Sequence, residues 1–194
     1  MGIMRTLYRE ARVILGFKPP PENESQLAER VAGEVKGDIG GKKSPQGEDW
    51  FLESKFQGRE TKILFESAAR RAIIQVSSTL EGGPLFVLVS GNSTREIPDG
   101  EERKPVTSGV FAQGPARDVA VMLDLWKALP TGTRGNLTSL ISKHRGELRY
   151  EDGLVRIEPE TFLLDGPSAK YNVKSLLQTI VTLTGEMETA WSNL

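Results

Sequence analysis

His144 is the first residue whose type could support chemistry, because it is the only histidine among 194 residues. Imidazole is the side chain whose ordinary pKa lies nearest neutrality. It acts as a general base only when a nucleophile and an orienting carboxylate lie beside it. Ser139 and Ser142 are close in sequence, but neither lies in a G-x-S-x-G motif. We interpret His144 as a helix-terminal residue favoured by the helix dipole, and we assign no catalytic residue.

Metal and nucleotide sites also lack a complete pattern. The chain has no Cys, which excludes zinc–thiolate, iron–sulfur and disulfide chemistry. A phosphate-binding loop over 36–44 would need Gly at Lys36 and Ser or Thr at Lys43. Three acidic pairs lie in predicted turns or at strand ends, where solvated charge is common: Glu101–Glu102, Glu151–Asp152, and Glu158 with Glu160. We therefore expect no metal and no cofactor.

The charge balance argues against a dedicated nucleic-acid-binding protein. The chain has 25 Lys+Arg and 26 Asp+Glu, for a formal net charge of −1, whereas proteins that bind nucleic acids usually carry a basic excess. Several basic residues could share a strip on a sheet, but the many acids favour a mixed, solvated surface. These residues are Arg70, Arg71, Arg95, Arg103 and Lys104.

The first 21 residues carry the pattern that we single out for function. Apolar residues recur at helical spacing, four basic residues stand against one acid, and Pro19–Pro21 ends the helix. A basic amphipathic helix can lie on an anionic membrane or in the groove of a partner. The predicted partner- or membrane-binding residues are Ile3, Arg5, Leu7, Arg9, Arg12 and Ile14.

The strength of a membrane contact through this arm is limited. Four basic residues at roughly 1 kcal/mol each give about 4 kcal/mol near an anionic surface, which corresponds to about millimolar binding. We therefore expect membrane contact to be weak and reversible. The alternative is that the arm packs on its own domain or on a second copy. We expect a protein partner or self-association.

The location of the protein follows from the absence of membrane and export signals in the sequence. No stretch of 18 consecutive apolar residues is present, so we expect no transmembrane helix. Arg5, Arg9 and Arg12 interrupt the apolar region that a signal peptide needs. We expect a cytoplasmic protein, and the inner face of a membrane is the second location that the arm leaves open.

The pattern of the whole chain predicts an α+β fold, an antiparallel β-meander covered by helices with a small C-terminal hairpin and an N-terminal helical arm. We divide the chain into the arm at 1–21, a short helix and Gly/Pro-rich linker at 22–48, and a single domain at 49–194. Asn23 and Gln26 have capping-box spacing, with Gly37 as the predicted helix end.

The elements of the domain follow from periodicity. Alternating apolar and polar residues from Trp50 to Ala112, with short connections, predict the meander. Helices are predicted near 115–129, beyond Thr133 and over 169–191. Asp152–Gly153 is a strong hairpin turn, and we expect the hairpin at 147–158 to extend the sheet or to cap one edge.

Three functional hypotheses remain. The leading one is a non-catalytic adaptor or regulatory interaction module recruited through the arm. The second is an enzyme whose site is assembled from scattered residues without a motif, with candidates Asp165, Glu158, Arg156 and His144. The third is a structural subunit of a larger assembly, with Trp50 or Trp191 as an interface anchor.

Overall fold

A computed structural model of the chain describes residues 22–80, 85–93, 96–151, 153–160, 164 and 168–193. The arm at 1–21 lies outside the described residues. Within them the helices are α1 (Glu24–Ile39), α2 (Ala116–Ala128), α3 (Thr131–His144) and α4 (Ala169–Trp191). The strands are β1 (Lys42–Gln46), β2 (Asp49–Phe56), β3 (Arg59–Glu66), β4 (Arg71–Ser77), β5 (Phe86–Ser90), β6 (Glu101–Thr107), β7 (Val110–Pro115), β8 (Glu147–Glu151) and β9 (Leu154–Glu158).

The nine strands form one sheet in the order β1-β2-β3-β4-β9-β8-β5-β7-β6. Every neighbouring pair is antiparallel, so the predicted α+β fold with an antiparallel sheet is confirmed. The meander is continuous only from β1 to β4, because β5 pairs with β7 and β8 instead of with β4.

The β8–β9 hairpin forms as predicted and is part of the sheet, but the alternative that it caps one edge is wrong. It occupies the centre, between β4 and β5. The reason is burial on its helix-facing side, where Leu148, Tyr150, Val155 and Ile157 are at most 2% exposed. An edge position would leave part of this apolar surface in water, at a cost of roughly 2 kcal/mol for each large side chain.

Alternation along the strands separates the two faces of the sheet. On the covered face, register neighbours on successive strands form a fully buried row: Leu52, Ile63, Ile74, Ile157, Leu148, Leu88 and Ala112. The buried side chains of α1, α2, α3 and α4 pack into the same core. This face therefore holds the domain together.

The opposite face is called the open face, because none of the described helices packs on it. Two of its apolar side chains, Ile73 and Val89, are buried but lie outside the main core cluster. Along each strand its side chains alternate with those of the buried row. They form a second row across the sheet: Glu53, Lys62, Gln75, Arg156, Arg149, Val87 and Gln113. The β5–β6 connection crosses this face at β7, where Gln113 Nε2 donates to the carbonyl oxygen of Glu96. The rest of the row lies on strands β2, β3, β4, β9, β8 and β5.

Helix α1 begins with the predicted capping box. Asn23 Oδ1 accepts from Gln26 N at 2.8 Å, and Gln26 Oε1 accepts from Asn23 N at 3.2 Å. The helix continues past Gly37 and ends at Gly40, which has φ of 76° and donates to Lys36 O. Ile39 packs against the core, and this contact favours the additional helical residues over an end at Gly37.

The flexible linker that we predict over 37–48 is not present in the structure. Residues 42–46 form strand β1, which pairs with β2 through a two-residue turn at Gly47–Glu48. The predicted start of the folded body near residue 49 therefore falls inside a hairpin. Polar composition was misleading here because an edge strand is stabilised by backbone hydrogen bonds and does not need apolar side chains on both faces.

Both edges of the sheet carry features that oppose further strand pairing. Strand β1 contains Pro45 and two lysines, and strand β6 contains Pro105 with an irregularity in its pairing before Thr107. Proline has no N–H to donate, and bulges and lysines also disfavour edge pairing.

Candidate functional site

The predicted recruitment residues in the arm fall within 1–21, outside the described residues. Of the enzyme candidates, Asp165 lies outside the described residues, and so does the side chain of His144. The other two are brought together, because Arg156 Nε lies 2.8 Å from Glu158 Oε1.

The two tryptophans proposed as interface anchors are only partly exposed. Trp50 and Trp191 both pack against the core, and Lys43 Nζ lies 4.2 Å from the ring centre of Trp50. Lys43 also pairs with Glu29 of α1 at 3.3 Å. Trp50 therefore helps to attach α1 to the first two strands.

The basic residues that we considered as a strip are paired with acids or amides. Arg70 contacts Glu24 at 3.1 Å, Arg71 contacts Glu66 at 2.5 Å, and Lys104 contacts Glu102 at 2.7 Å. Arg103 donates to Gln113, and Arg95 lies outside the described residues. The mixed, solvated surface is the arrangement found for the described members of this group.

The most fully bonded polar group joins α4 to the sheet. Arg59 Nη1 and Nη2 donate to the two carboxylate oxygens of Glu188 at 2.7 and 2.5 Å. Glu188 Oε1 also accepts from the hydroxyl of Ser78 at 3.0 Å and from Thr79 N at 2.7 Å. The side chains of Arg59 and Glu188 are 19% and 15% exposed. This two-pronged geometry is the strong form of the arginine–carboxylate contact.

The environment of Glu188 has a clear electrostatic consequence. Burial opposes its ionisation, but hydrogen bonds from Arg59, Thr79 and Ser78 together outweigh that effect and lower the pKa of Glu188 to about 2. The same contact raises the pKa of Arg59. Because both carboxylate oxygens of Glu188 and both terminal nitrogens of Arg59 are engaged within the fold, we interpret the group as a structural clamp.

A second group of charges lies at the centre of the open face, and we call it the central charge group. It consists of Arg149 and Glu147 on β8 and of Arg156 and Glu158 on β9. The register places Arg149 directly opposite Arg156, and Glu147 directly opposite Glu158. Like charges in directly opposite positions are destabilising in an antiparallel pair.

The contacts within the central charge group are less complete than those of the clamp. Arg149 Nη2 donates to Glu147 Oε2 at 3.1 Å, and Arg156 Nε approaches Glu158 at 2.8 Å without hydrogen-bond alignment. The Nε atoms of both arginines are buried and have no hydrogen-bond acceptor among the described residues. The two arginine side chains are 35% and 38% exposed. The two arginines thus keep N–H groups that can donate hydrogen bonds to a solute at the surface.

Two grooves flank the central charge group on the open face. One, of about 670 Å³, contains the side chains of Lys62, Gln75, Ser77 and Leu154 on β3, β4 and β9. The other, of about 210 Å³, contains Arg149 with residues of β5 and β7. In the larger groove, hydrogen bonding from Lys62 lowers the pKa of Glu53. The grooves provide mixed polar and apolar surface on both sides of the two arginines.

Sequence reasoning missed both charge groups, for different reasons. Arg59 and Glu188 are 129 positions apart, and no local pattern links them. The opposition of Arg149 and Arg156 was available from the sequence, because a two-residue turn at Asp152–Gly153 fixes the register of the hairpin. Counting outward from the turn pairs 151 with 154, and then 149 with 156.

Neither a metal-binding cluster nor a membrane-spanning helix is present among the described residues. Within them, no three His, Asp or Glu side chains come close enough to hold a metal ion. None of the helices in the described part of the chain has the length and apolar character needed to cross a membrane.

Comparisons with known proteins bear on the fold. None of the protein-family models matches this chain, and no curated protein matches it. Among solved structures, the fold is similar to the crystal structure of the mycobacterial trehalose monomycolate transport factor A, TtfA, with a TM-score of 0.57. The match covers 86% of this chain and 96% of that chain at 8% sequence identity. At this identity the similarity shows that the two proteins share a fold.

Proposed function

We propose that this protein is a non-catalytic adaptor or regulatory interaction module, which its N-terminal basic amphipathic segment recruits to its place of action. The observation that carries the proposal is the difference in composition and covering between the two faces of the sheet. The covered face is closed by helices, whereas the open face presents charged and polar side chains over neighbouring strands. Since none of the described helices covers these strands, the half-exposed charged side chains at their centre can contact another molecule.

The organisation around the start of α1 supports separable roles for arm and domain. The capping box at Asn23 begins α1 with contacts from within residues 23–26. Arg30 further ties the helix start to Glu22 at 3.0 Å. Since these contacts do not require residues 1–21, the domain is expected to fold without the arm.

The structural neighbour adds one point of support. TtfA is named a transport factor, which is compatible with an accessory role for proteins of this fold. An accessory protein needs a means of recruitment and a contact surface. We assign recruitment to the arm residues Ile3, Arg5, Leu7, Arg9, Arg12 and Ile14, and contact to the open face.

Deletion of residues 1–21 tests the proposal. We expect the shortened protein to keep its melting temperature within about 2 °C and to lose its co-sedimentation with membranes or with a larger complex in extracts of the source cell. Sedimentation of the purified chain separates self-association from binding to a different protein.

Two arm variants sharpen this test. L7S/I14S removes apolar contacts at constant charge, and R5Q/R9Q/R12Q removes charge while keeping the apolar residues. Loss of recruitment in the first variant alone indicates a protein groove, and loss in both indicates an anionic surface. If neither the deletion nor these variants change the distribution of the protein, recruitment through the arm is wrong.

A further inference from the structure

The open face carries an uninterrupted row of hydrogen-bond donors across its central strands. Register pairing places Lys62 beside Gln75, Gln75 beside Arg156, and Arg156 beside Arg149. Four side chains that donate hydrogen bonds therefore follow one another on β3, β4, β9 and β8, and the row ends at Glu53 of β2, which lies 2.9 Å from Lys62 Nζ. Neighbouring strands are about 4.8 Å apart, so the row extends over roughly 14 Å.

The placement of the two arginines is not one that fold stability favours. Exchange of residues 156 and 158 would place a glutamate opposite Arg149 and an arginine opposite Glu147, because 149 pairs with 156 and 147 with 158. Both like-charge pairs would become ion pairs with no change in composition. Natural sequences depart from such local rules chiefly at functional sites.

The two guanidinium groups also retain the donors that an anion requires. Within the described residues, Arg149 donates through one terminal nitrogen to Glu147, and the contact of Arg156 with Glu158 is poorly aligned. By contrast, Arg59 uses both terminal nitrogens on a carboxylate. The planar donor fork of arginine matches the oxygens of a phosphate group.

We propose that Arg149 and Arg156 bind the phosphate group of a small phosphorylated molecule on the open face, with Gln75 and Lys62 as further donors. The groove that contains Lys62 and Gln75 begins beside Arg156 and measures about 670 Å³. On this face its wall also includes Ser77, Leu154 and the acids Glu53 and Glu60, so the remainder of the ligand carries hydroxyl donors and no further negative charge. This inference deepens the proposed function and rests on it, because it gives the open face a ligand chemistry.

Titration of the full chain with inorganic phosphate and with glycerol 3-phosphate, at constant ionic strength, tests the site. We expect saturable binding of one molecule of either compound per chain, followed by calorimetry or by amide chemical shifts on β8 and β9. Absence of saturable binding by the unchanged protein overturns the inference.

The decisive variant is the exchange R156E/E158R, which keeps composition and net charge. We expect it to weaken phosphate binding at least about tenfold, because a charge-assisted contact is lost and the glutamate introduced at position 156 would neutralise Arg149. The matched control is E66R/R71E, which exchanges a directly opposite ion pair on the same face outside the row. Equal binding by the two exchange variants overturns the inference.

Two further measurements keep the outcome clear. If the exchange variant does not fold, R156Q is used, with circular dichroism to confirm folding and the same tenfold expectation. Vesicles of phosphatidylcholine with phosphatidic acid are titrated in parallel, and binding to these vesicles without binding to the soluble phosphates overturns the choice of a small ligand. Recruitment through the arm has a separate readout, so failure here leaves the proposed function standing.

Discussion

Arg59 and Arg156 are both arginines on strands of the same sheet, yet their guanidinium groups have different surroundings. Arg59 lies at the clamp, where Glu188 from α4 accepts two hydrogen bonds and the backbone adds another donor to the same carboxylate. Arg156 faces another arginine across the hairpin and makes one poorly aligned contact with an acid of its own strand. The clamp uses charge to fix one element on another, whereas the central charge group leaves charge available at the surface.

This comparison predicts that the clamp contributes far more to stability than its charge content alone suggests. Removal of one partner from a desolvated ion pair leaves the other charge without compensation. At 15–19% exposure, we expect E188Q to lower the free energy of unfolding by about 2–3 kcal/mol, measured by urea denaturation.

An exposed ion pair provides the control for that measurement. Lys127 and Asp124 are 2.8 Å apart but 74% and 62% exposed. We expect D124N to change the free energy of unfolding by less than about 0.5 kcal/mol. Similar losses in E188Q and D124N would show that the clamp has no special role.

The pH dependence of stability sharpens the same contrast. The pKa of Glu188 is about 2 in the folded protein, below its ordinary value of 4.5. Its contribution to stability is therefore complete above about pH 5 and is lost as the pH falls through 4.5 towards 2. We expect the stability difference between the unchanged protein and E188Q to shrink by most of its value over this range, in denaturation curves recorded at successive pH values. A difference that stays constant with pH would contradict the assignment.

The exchange in the central charge group is expected to change stability less than E188Q and in the opposite direction. The exchange R156E/E158R converts two like-charge pairs into ion pairs, each worth a few tenths to about 1 kcal/mol. We expect a gain of about 1 kcal/mol and a rise of about 2–4 °C in melting temperature. E66R/R71E keeps its ion pair and is expected to change stability by less than about 0.5 kcal/mol. A loss of stability in R156E/E158R would mean that the natural placement serves the fold.

The parts of the structure that could be predicted from sequence depend on neighbouring residues. The capping box at Asn23 and the hairpin between β8 and β9 each follow from residues fewer than five positions apart, and both are present. Alternation along the strands also separates buried from exposed positions, because successive side chains point to opposite faces. These local rules give the α+β class and the pairing within the last hairpin.

The features that could not be predicted depend on contacts between residues far apart in sequence, or lie in segments whose polar composition resembles a loop. The position of the β8–β9 hairpin is decided by which pairing buries Leu148 and Ile157, and several topologies satisfy the same local pattern. Strand β1 has a polar sequence, so its composition resembles a loop. The clamp requires α4 to reach the end of β4, a contact that arises only when the whole sheet is assembled.

The two prolines in the edge strands have a consequence for molecules held close together. Recruitment concentrates a protein, and an unprotected strand edge then invites neighbouring copies to join into continuous fibrils. Pro45 on one side and Pro105 with its irregular pairing on the other interrupt that growth. The domain can therefore reach a high local concentration without becoming a template for polymerisation.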